Sequence, residues 1–206
     1  MEKIPSLFVR DLKTHRVIDE LSPFVGDIDV SSLRATIKWD GTSCLWAYDW
    51  LYKRFELREG KKVADGDDAG TYLFAGSMQP ASPEQMIPGF YWKKVTKDEP
   101  GDIHHLKAMA NVLSNSMKNF HTYELIGPGV QGNPYHLEAP KLEEHGISEI
   151  VNTITPNGHL YQECIEMLNS RDDIEGIVFW SKEGENSRPV TKIKRRDFGL
   201  AWPPRK

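Results

Sequence analysis

The chain has 206 residues, of which 39% are hydrophobic and 27% charged, and its formal net charge is -4. This length suffices for one domain with a sizeable core, and the mildly acidic balance gives no compositional sign of nucleic-acid binding. No apolar run approaches the ~20 residues of a membrane span, and residues 1–5 lack the apolar segment of a signal peptide. We therefore expect an intracellular protein, cytoplasmic or nuclear, that has no membrane partner.

The cysteine content argues against two further classes of protein. The chain contains only Cys44 and Cys164, which are too few for a disulfide framework and show no CxxC spacing. A zinc site is not expected, and a reducing compartment suits the two thiols.

The first half of the chain is predicted to contain mostly strands. Residues 34–37 form a strand, and residues 44–48 and 52–58 form a hairpin with a tight turn near Asp49 and Trp50. Residues 65–70 have the composition of a loop, and residues 71–95, rich in Pro, Gly and aromatics, are expected to be irregular with short strands.

Two helices and three further strands are predicted in the second half. Apolar residues at helical spacing predict a helix from Ile103 to Phe120 with Asp102 as its N-cap, and a second helix covers residues 159–169 after a turn at residues 155–158. The predicted strands are residues 123–126, 174–180 and 190–194, with a loop at 127–134 and a hairpin turn at 182–187. The pattern predicts an α+β fold of antiparallel sheets with few helices.

Four short stretches carry the residues of chemical interest. They are Lys38-Trp39-Asp40-Gly41, Tyr123-Glu124-Leu125-Ile126-Gly127, Glu175-Gly176-Ile177-Val178 and Lys192-Ile193-Lys194. Each stretch alone is weak evidence, because short matches of this kind occur by chance and also suit buried or edge strands. Together they supply a lysine nucleophile, two glutamates and two lysines for phosphate.

These residue types suit attack by a lysine on a nucleoside triphosphate. A lysine becomes nucleophilic when neighbouring cations or burial favour its neutral amine. Lys192 and Lys194 alternate along a strand, so both project from one face and would supply cations to Lys38 and to phosphate. Gly41 permits a tight turn close to a ligand. Glu124 would accept hydrogen bonds from ribose hydroxyls, and Glu175 would hold magnesium directly or through water.

The four stretches resemble motifs I, III, IV and V of the covalent nucleotidyltransferase superfamily, which includes ATP-dependent DNA ligases, RNA ligases and mRNA capping enzymes. Residues 56–60 resemble motif Ia, in which Arg58 matches the phosphate- or ribose-binding arginine. The resemblance covers about residues 33–196. It implies a nucleotidyltransferase (ATP-grasp-like ligase) domain of antiparallel sheets with flanking helices. It also implies that the following residues contact the nucleotide: Ile37, Asp40, Gly41, Arg58, Glu124, Glu175, Lys192 and Lys194.

Within the superfamily the chain is most similar to RNA ligases, because residues 125–127 and 131–135 resemble segments of RNA-ligase domains of the phage RNA ligase 2 type. The chain also resembles the small standalone 5′-to-3′ RNA ligases of eukaryotes and viruses. The resemblance implies a lysyl-AMP at Lys38, transfer of AMP to an RNA 5′-phosphate and sealing with a 3′-hydroxyl. ATP and Mg²⁺, with Mn²⁺ as an alternative, would be the cofactors, with Glu175 as the metal ligand and Lys192 and Lys194 beside Lys38 in catalysis. The protein is expected to be a monomer.

The sequence differs from the larger members of the superfamily in two respects. Residues 195–206 offer no room for the OB-fold domain of DNA ligases and capping enzymes, so we expect a single domain over residues 1–206 with residues 1–32 as an N-terminal extension. The adenine-stacking aromatic is not obvious, and Tyr135 and His145 are the candidates. Residues 89–94 mix aromatics with lysines, which suits either a buried cluster or stacking on single-stranded RNA.

Three alternatives remain open from the residues. The chain could be a DNA nick ligase or a guanylyltransferase of the same superfamily, since ATP and GTP users share these motifs. It could also be a catalytically weak module that binds nucleotide or RNA, although the intact lysines and glutamates disfavour this reading.

Overall fold

The computed structural model describes residues 4–26, 28–63, 71–112, 116–148, 159–181 and 188–203. The chain divides into two compact units: the first contains Gly41–His145, and the second contains Lys3–Asp40 and Gly146–Lys206. Both contain antiparallel sheets with few helices, which confirms the predicted α+β character. The single-domain organisation stays a prediction. Neither described helix is long and apolar enough to cross a membrane.

The first unit is built on a seven-stranded antiparallel sheet. Its strands are β4 (Thr42–Ala47), β5 (Trp50–Leu57), β6 (Tyr72–Phe74), β7 (Pro80–Ala81), β8 (Gly89–Lys94), β9 (His121–Ile126) and β10 (Lys141–Glu144), in the spatial order β10-β9-β4-β5-β8-β6-β7. The predicted hairpin is β4–β5, but its turn lies at Tyr48 and Asp49, one residue earlier than predicted. Both turn residues have positive φ, the conformation that a two-residue hairpin of type I′ requires.

β8 is a regular six-residue strand, although the sequence predicted an irregular segment with short strands at residues 71–95. It pairs along its whole length with β5, which makes it an inner strand of the sheet. Tyr91 and Trp92 are buried, so the aromatic residues of this segment belong mainly to the core. This agrees with the interpretation of residues 89–94 as a buried cluster. Lys93 pairs with Glu99, and Lys94 lies over the Trp50 ring.

The first helix, α1 (Ile103–Ala110), is much shorter than predicted. It ends at Ala110, with Asn111 as its C-cap. Met117 packs against the same apolar cluster from outside the helix, and Phe120 has a positive φ and contacts Tyr48 edge-on. The spacing of apolar residues predicted too long a helix, because residues from separate segments can pack into the same core. Asn111, directly after the helix, also favours a turn over helix continuation.

Asp102 precedes α1 as predicted, but its side chain makes no capping hydrogen bond. Its fully buried carboxylate contacts Lys53 Nζ through Oδ1 and accepts the Thr96 N–H through Oδ2 at 2.9 Å. Asp102 is therefore one member of a buried ion pair, which corrects its predicted capping role.

The second unit contains a three-stranded antiparallel sheet, β3 (Arg34–Lys38), β11 (Gly176–Trp180) and β12 (Pro189–Lys194), with β11 in the centre. A hairpin of β1 (Phe8–Arg10) and β2 (Val17–Leu21) precedes it. Helix α2 (Leu160–Ser170) matches the second predicted helix closely. Its Cys164 and Leu168 pack with the hairpin and the sheet into one core.

Some predictions cannot be compared with the fold. The predicted loop at residues 65–70 and the turns at 155–158 and 182–187 lie outside the described residues. Both cysteines are free and buried, and burial raises the pKa of the Cys164 thiol to about 12. They are core residues of the two units.

Candidate functional site

Three lysines occupy one face of the sheet in the second unit. Lys38 on β3 and Lys194 on β12 both lie opposite Gly176 of the central strand, and Lys192 lies opposite Val178. Residues paired across antiparallel strands share a face, as do residues two apart along a strand. The structure therefore places together the three lysines that the sequence singled out.

The other face of the same sheet is apolar. Ile37, Ile177 and Ile193 pair with one another across the three strands, and all three pack in the core that α2 covers. The side chain of Ile37 thus points away from the lysine face, and its backbone N–H donates to Ser148 O at 2.8 Å. A nucleotide on the lysine face would meet only the backbone of Ile37.

Gly176 leaves no room for a side chain between the lysines. A Cβ atom there would lie 2.2 Å from Ile193 O and 2.9 Å from Lys194 Cα. Any residue but glycine would push β12 away from β11. The glycine at position 176 is therefore explained by strand packing directly beside Lys194.

The buried carboxylate of Glu175 contacts three cations of this site. Its Oε2 contacts Lys38 Nζ, and its Oε1 lies 2.7 Å from Lys194 Nζ and 3.2 Å from Arg196 Nη2. Glu175 is 1% exposed, whereas the two lysine side chains are about one-fifth exposed and Arg196 is largely exposed. One negative charge thus faces three positive charges, so the cluster retains an excess of positive charge.

The pKa values reflect this arrangement. Burial raises the pKa of Glu175, but the charge of Lys38 and the contacts with Lys194 outweigh it, so the pKa is lowered. Burial, together with Lys194 and Lys38, lowers the pKa of Lys192 to about 8. Burial and the charge of Lys38 also lower the pKa of Lys194. The site thus favours loss of positive charge from Lys192 and Lys194, or gain of an anionic ligand.

The N-terminal segment completes the edge of this sheet. Pro5 O accepts hydrogen bonds from Lys192 N at 3.0 Å and from Thr191 Oγ1 at 3.1 Å, and Leu7 N donates to Lys192 O at 2.8 Å. The main chain of Lys192 is therefore held by residues 5–7. The stretch assigned to an N-terminal extension supports the lysine face directly.

Asp40, which follows Lys38 by two residues, has a partner that the sequence did not indicate. The indole Nε1 of Trp202 donates to Asp40 Oδ2 at 2.8 Å. The Lys38 stretch is thereby tied to the segment after β12.

Glu124 and Gly41 meet in the first unit. The Gly41 N–H donates to Glu124 Oε1 at 3.1 Å, and a Cβ on Gly41 would lie 2.1 Å from Leu125 O. The second oxygen of Glu124 lies 2.9 Å from His145 Nε2. Gly41 is therefore required by close packing against β9.

Arg58 follows β5 and is 77% exposed, with Glu56 3.9 Å away. Such a contact is weak in water and leaves the guanidinium available to a ligand. Tyr135 is half-buried in the loop between β9 and β10.

Sequence reasoning missed the site contributions of Arg196 and Trp202 and the contact of His145 with Glu124. Arg196 lies two residues beyond Lys194, so the run of four basic residues from Lys192 was the available signal. For Trp202 and His145 no sequence spacing predicts the partner, because each contact depends on how distant segments pack.

Comparison with known proteins identifies the class. The model of a family described as RNA ligase 1 matches residues 93–206, a stretch that contains Glu124, Glu175, Lys192 and Lys194. Because this match covers more than half of the chain, the protein belongs to the RNA ligase 1 family.

Individual relatives agree with this membership. The chain is 33% identical over 118 residues to the RNA ligase 1 of Mus musculus and over 115 residues to that of Danio rerio. The RNA ligase 1 of Pongo abelii is 33% identical over 118 residues. Each alignment covers 53% of this chain and 33% of the relative, so the chain matches about a third of the length of these relatives.

Proposed function

We propose that this protein is an ATP-dependent RNA ligase that works through a lysyl-AMP intermediate at Lys38. The observation that carries the proposal is the cluster of Lys38, Lys192 and Lys194 on one sheet face around the buried Glu175. Membership of the RNA ligase 1 family supports RNA as the substrate.

Lys38 is the nucleophile of the proposed first step. Its neutral amine attacks the α-phosphorus of ATP, a P–N bond forms, pyrophosphate leaves and Nζ releases one proton. Because Lys38 contacts Glu175, this ion pair must open before the amine reaches phosphate. Lys192 and Lys194 then neutralise charge on the phosphates, which is the main requirement of phosphoryl transfer.

Glu175 is the residue that would hold Mg²⁺ or Mn²⁺. Among the residues that the structure describes, no group of three or more His, Cys, Asp or Glu side chains could hold a metal ion. One carboxylate suits magnesium nevertheless, because this ion is commonly bound by one or two carboxylates together with substrate phosphates. When bound, it would neutralise phosphate charge. Glu175 would then exchange its contact with Lys38 for the cation.

The remaining proposed steps use RNA ends. AMP passes from Lys38 to an RNA 5′-phosphate, and a 3′-hydroxyl displaces AMP to form the phosphodiester bond. Glu124 would accept hydrogen bonds from ribose hydroxyls, since a carboxylate has about four acceptor positions and two of them have contacts within the described part of the chain.

Labelling of the protein tests the proposal. Purified protein is incubated with Mg²⁺ and α-labelled ATP or GTP, denatured and examined for covalent label, after intact mass has excluded protein that is already adenylylated. Lys38→Arg is a matched control, because it retains a cation for Glu175 but not the amine.

Label from ATP in the wild type but not in Lys38→Arg is expected, followed by joining of 5′-phosphorylated but not 5′-hydroxyl RNA. Label from GTP would indicate capping chemistry instead. Absence of label from folded, unmodified protein would reject the lysyl-AMP mechanism.

A further inference from the structure

The contacts of His145 connect four residues of the first unit. His145 Nε2 lies 2.9 Å from Glu124 Oε2, and His145 Nδ1 lies 2.9 Å from Thr122 Oγ1. The other carboxylate oxygen of Glu124 accepts the Gly41 N–H at 3.1 Å. The hydrogen bonds therefore run in order from Thr122 through His145 and Glu124 to Gly41.

The chemistry of these groups determines the direction of the bonds. An ionised carboxylate only accepts hydrogen bonds, so the proton of the imidazole must lie on Nε2. Nδ1 of the neutral ring is then an acceptor, which the Thr122 hydroxyl satisfies by donating. The carboxylate of Glu124 thus selects the tautomer, and the Thr122 hydroxyl, which can donate or accept, satisfies the remaining ring nitrogen.

The imidazole is also held firmly by its backbone. His145 N donates to Thr122 O at 3.1 Å, which continues the pairing of β10 with β9 by one residue. His145 O is 3.3 Å from His121 Nε2. The side chains of His145 and Glu124 are 20% and 13% exposed, so water competes little for the bond between them. A ring held in this way can restrict the rotation of a carboxylate.

We propose that His145 is a positioning residue that orients Glu124 toward the ribose of the nucleotide and keeps the main chain at Gly41 in place. Gly41 lies three residues after Lys38, so the same carboxylate would serve both the sugar and the turn after the nucleophile. The ribose role rests on the proposed function, whereas the effect on Gly41 does not. The sequence makes His145 a candidate for adenine stacking. The stacking role and the positioning role predict that different substitutions of His145 are tolerated.

Two substitutions separate positioning from stacking. His145→Gln places an amide N–H near the position of Nε2 and removes the aromatic ring. His145→Phe keeps a flat aromatic ring and removes the donor. His145→Ala removes both, and His159→Gln, at an exposed position without a side-chain capping bond, is the matched control. Thermal unfolding of each variant verifies that it is folded.

The readouts are the KM for ATP and for 2′-deoxyATP in adenylylation, and the chemical shift of the Gly41 amide. If His145 orients Glu124, His145→Phe and His145→Ala raise the KM for ATP about tenfold, the effect of one hydrogen bond to a charged group. The KM for 2′-deoxyATP changes much less, so the preference for the ribose disappears. His145→Gln retains both the preference and the Gly41 shift.

The opposite pattern overturns the proposal. If His145→Phe matches the wild type while His145→Gln behaves like His145→Ala, the ring stacks on the base and does not position Glu124. An unchanged Gly41 shift in His145→Ala, together with a changed shift in Glu124→Gln, would also contradict positioning. If the wild type forms no adduct at all, the proposed function fails, but the Gly41 shifts still decide whether His145 orients Glu124.

Discussion

Lys38 and Glu175, which are 137 residues apart in the sequence, form an ion pair at the edge of a three-stranded sheet. The carboxylate is buried, and its other oxygen contacts Lys194 and Arg196. The lysine proposed as the nucleophile is therefore held by the carboxylate proposed as the metal ligand. This pairing links the stability of the second unit to its proposed chemistry.

Glu175→Gln should both destabilise the protein and abolish adenylylation. Removing the carboxylate charge leaves three cations facing one another, and loss of one partner of a buried ion pair costs about 3 kcal/mol. Because the pKa of Glu175 is lowered in the folded state, its contribution to stability is present above the pKa of the unfolded chain and is lost as the pH falls through the folded value. Urea unfolding from neutral to acidic pH measures this contribution.

As the pH falls from neutral to acidic, the Glu175→Gln variant should lose less folding stability than the wild type does. Glu166→Gln, an exposed change on α2, is the control. Unchanged stability at neutral pH would show that the ion pairs contribute nothing net.

Lys192→Arg should change the pH dependence of nucleotide binding. With a pKa of about 8, Lys192 is a cation below that pH and loses its charge as the pH rises through it. The groups that face it electrostatically are Lys194, Lys38, Glu175 and Asp197. Arginine remains charged, so its variant should keep its affinity at alkaline pH, whereas the wild type should weaken.

Equilibrium binding of the α,β-methylene analogue of ATP measures this effect without turnover. A fall in wild-type affinity of about tenfold from about pH 7 to about pH 9 is expected, the scale of one lost charge contact. Lys141→Arg, at an exposed position, should behave as the wild type. Parallel profiles for the wild type and Lys192→Arg would mean that Lys192 does not contact phosphate.

Trp202→Phe should slow adenylylation by about tenfold, because it removes one hydrogen bond to a charged carboxylate near the nucleophile. Phenylalanine keeps an aromatic ring at this position but has no N–H to donate to Asp40. Single-turnover formation of the labelled protein measures the rate.

Trp50→Phe is a matched control, since Trp50 also donates from Nε1, to Val95 O at 2.7 Å in the first unit. Both variants lose a hydrogen bond, but only Trp202→Phe should lose rate. Equal rates in the two variants would restrict the Trp202–Asp40 contact to a structural role.

Asp102→Ser should destabilise the first unit by about 3 kcal/mol, the cost of breaking a buried ion pair. Serine is a good N-cap, so it would preserve a capping role but cannot neutralise Lys53. Chemical unfolding measures the loss, and Asp102→Asn reports how much of it is charge. A fully stable Asp102→Ser protein would show that the ion pair with Lys53 contributes nothing net to stability.

Local patterns predicted much of this fold. The strand before Lys38, the β4–β5 hairpin, α2 and the two strands of the lysine sheet were all identified, because periods of about two and 3.6 residues report which face of an element is buried. The same alternation predicted that Lys192 and Lys194 share a face. The helical spacing of apolar residues continues beyond the end of α1, and the helix predicted there was wrong. Apolar residues can pack into one core from separate elements.

The sequence by itself identified the residues proposed to carry the chemistry: a lysine followed by a glycine turn, two glutamates and two lysines on one strand. Only the tertiary structure decided their partners. Gly176 lies between Lys38 and Lys194, residues 5–7 hold Lys192, Trp202 binds Asp40 and His145 binds Glu124. The reason is physical: periodicity is a property of neighbouring residues, whereas these contacts join segments far apart in the chain, whose meeting depends on strand order and on packing of the whole unit.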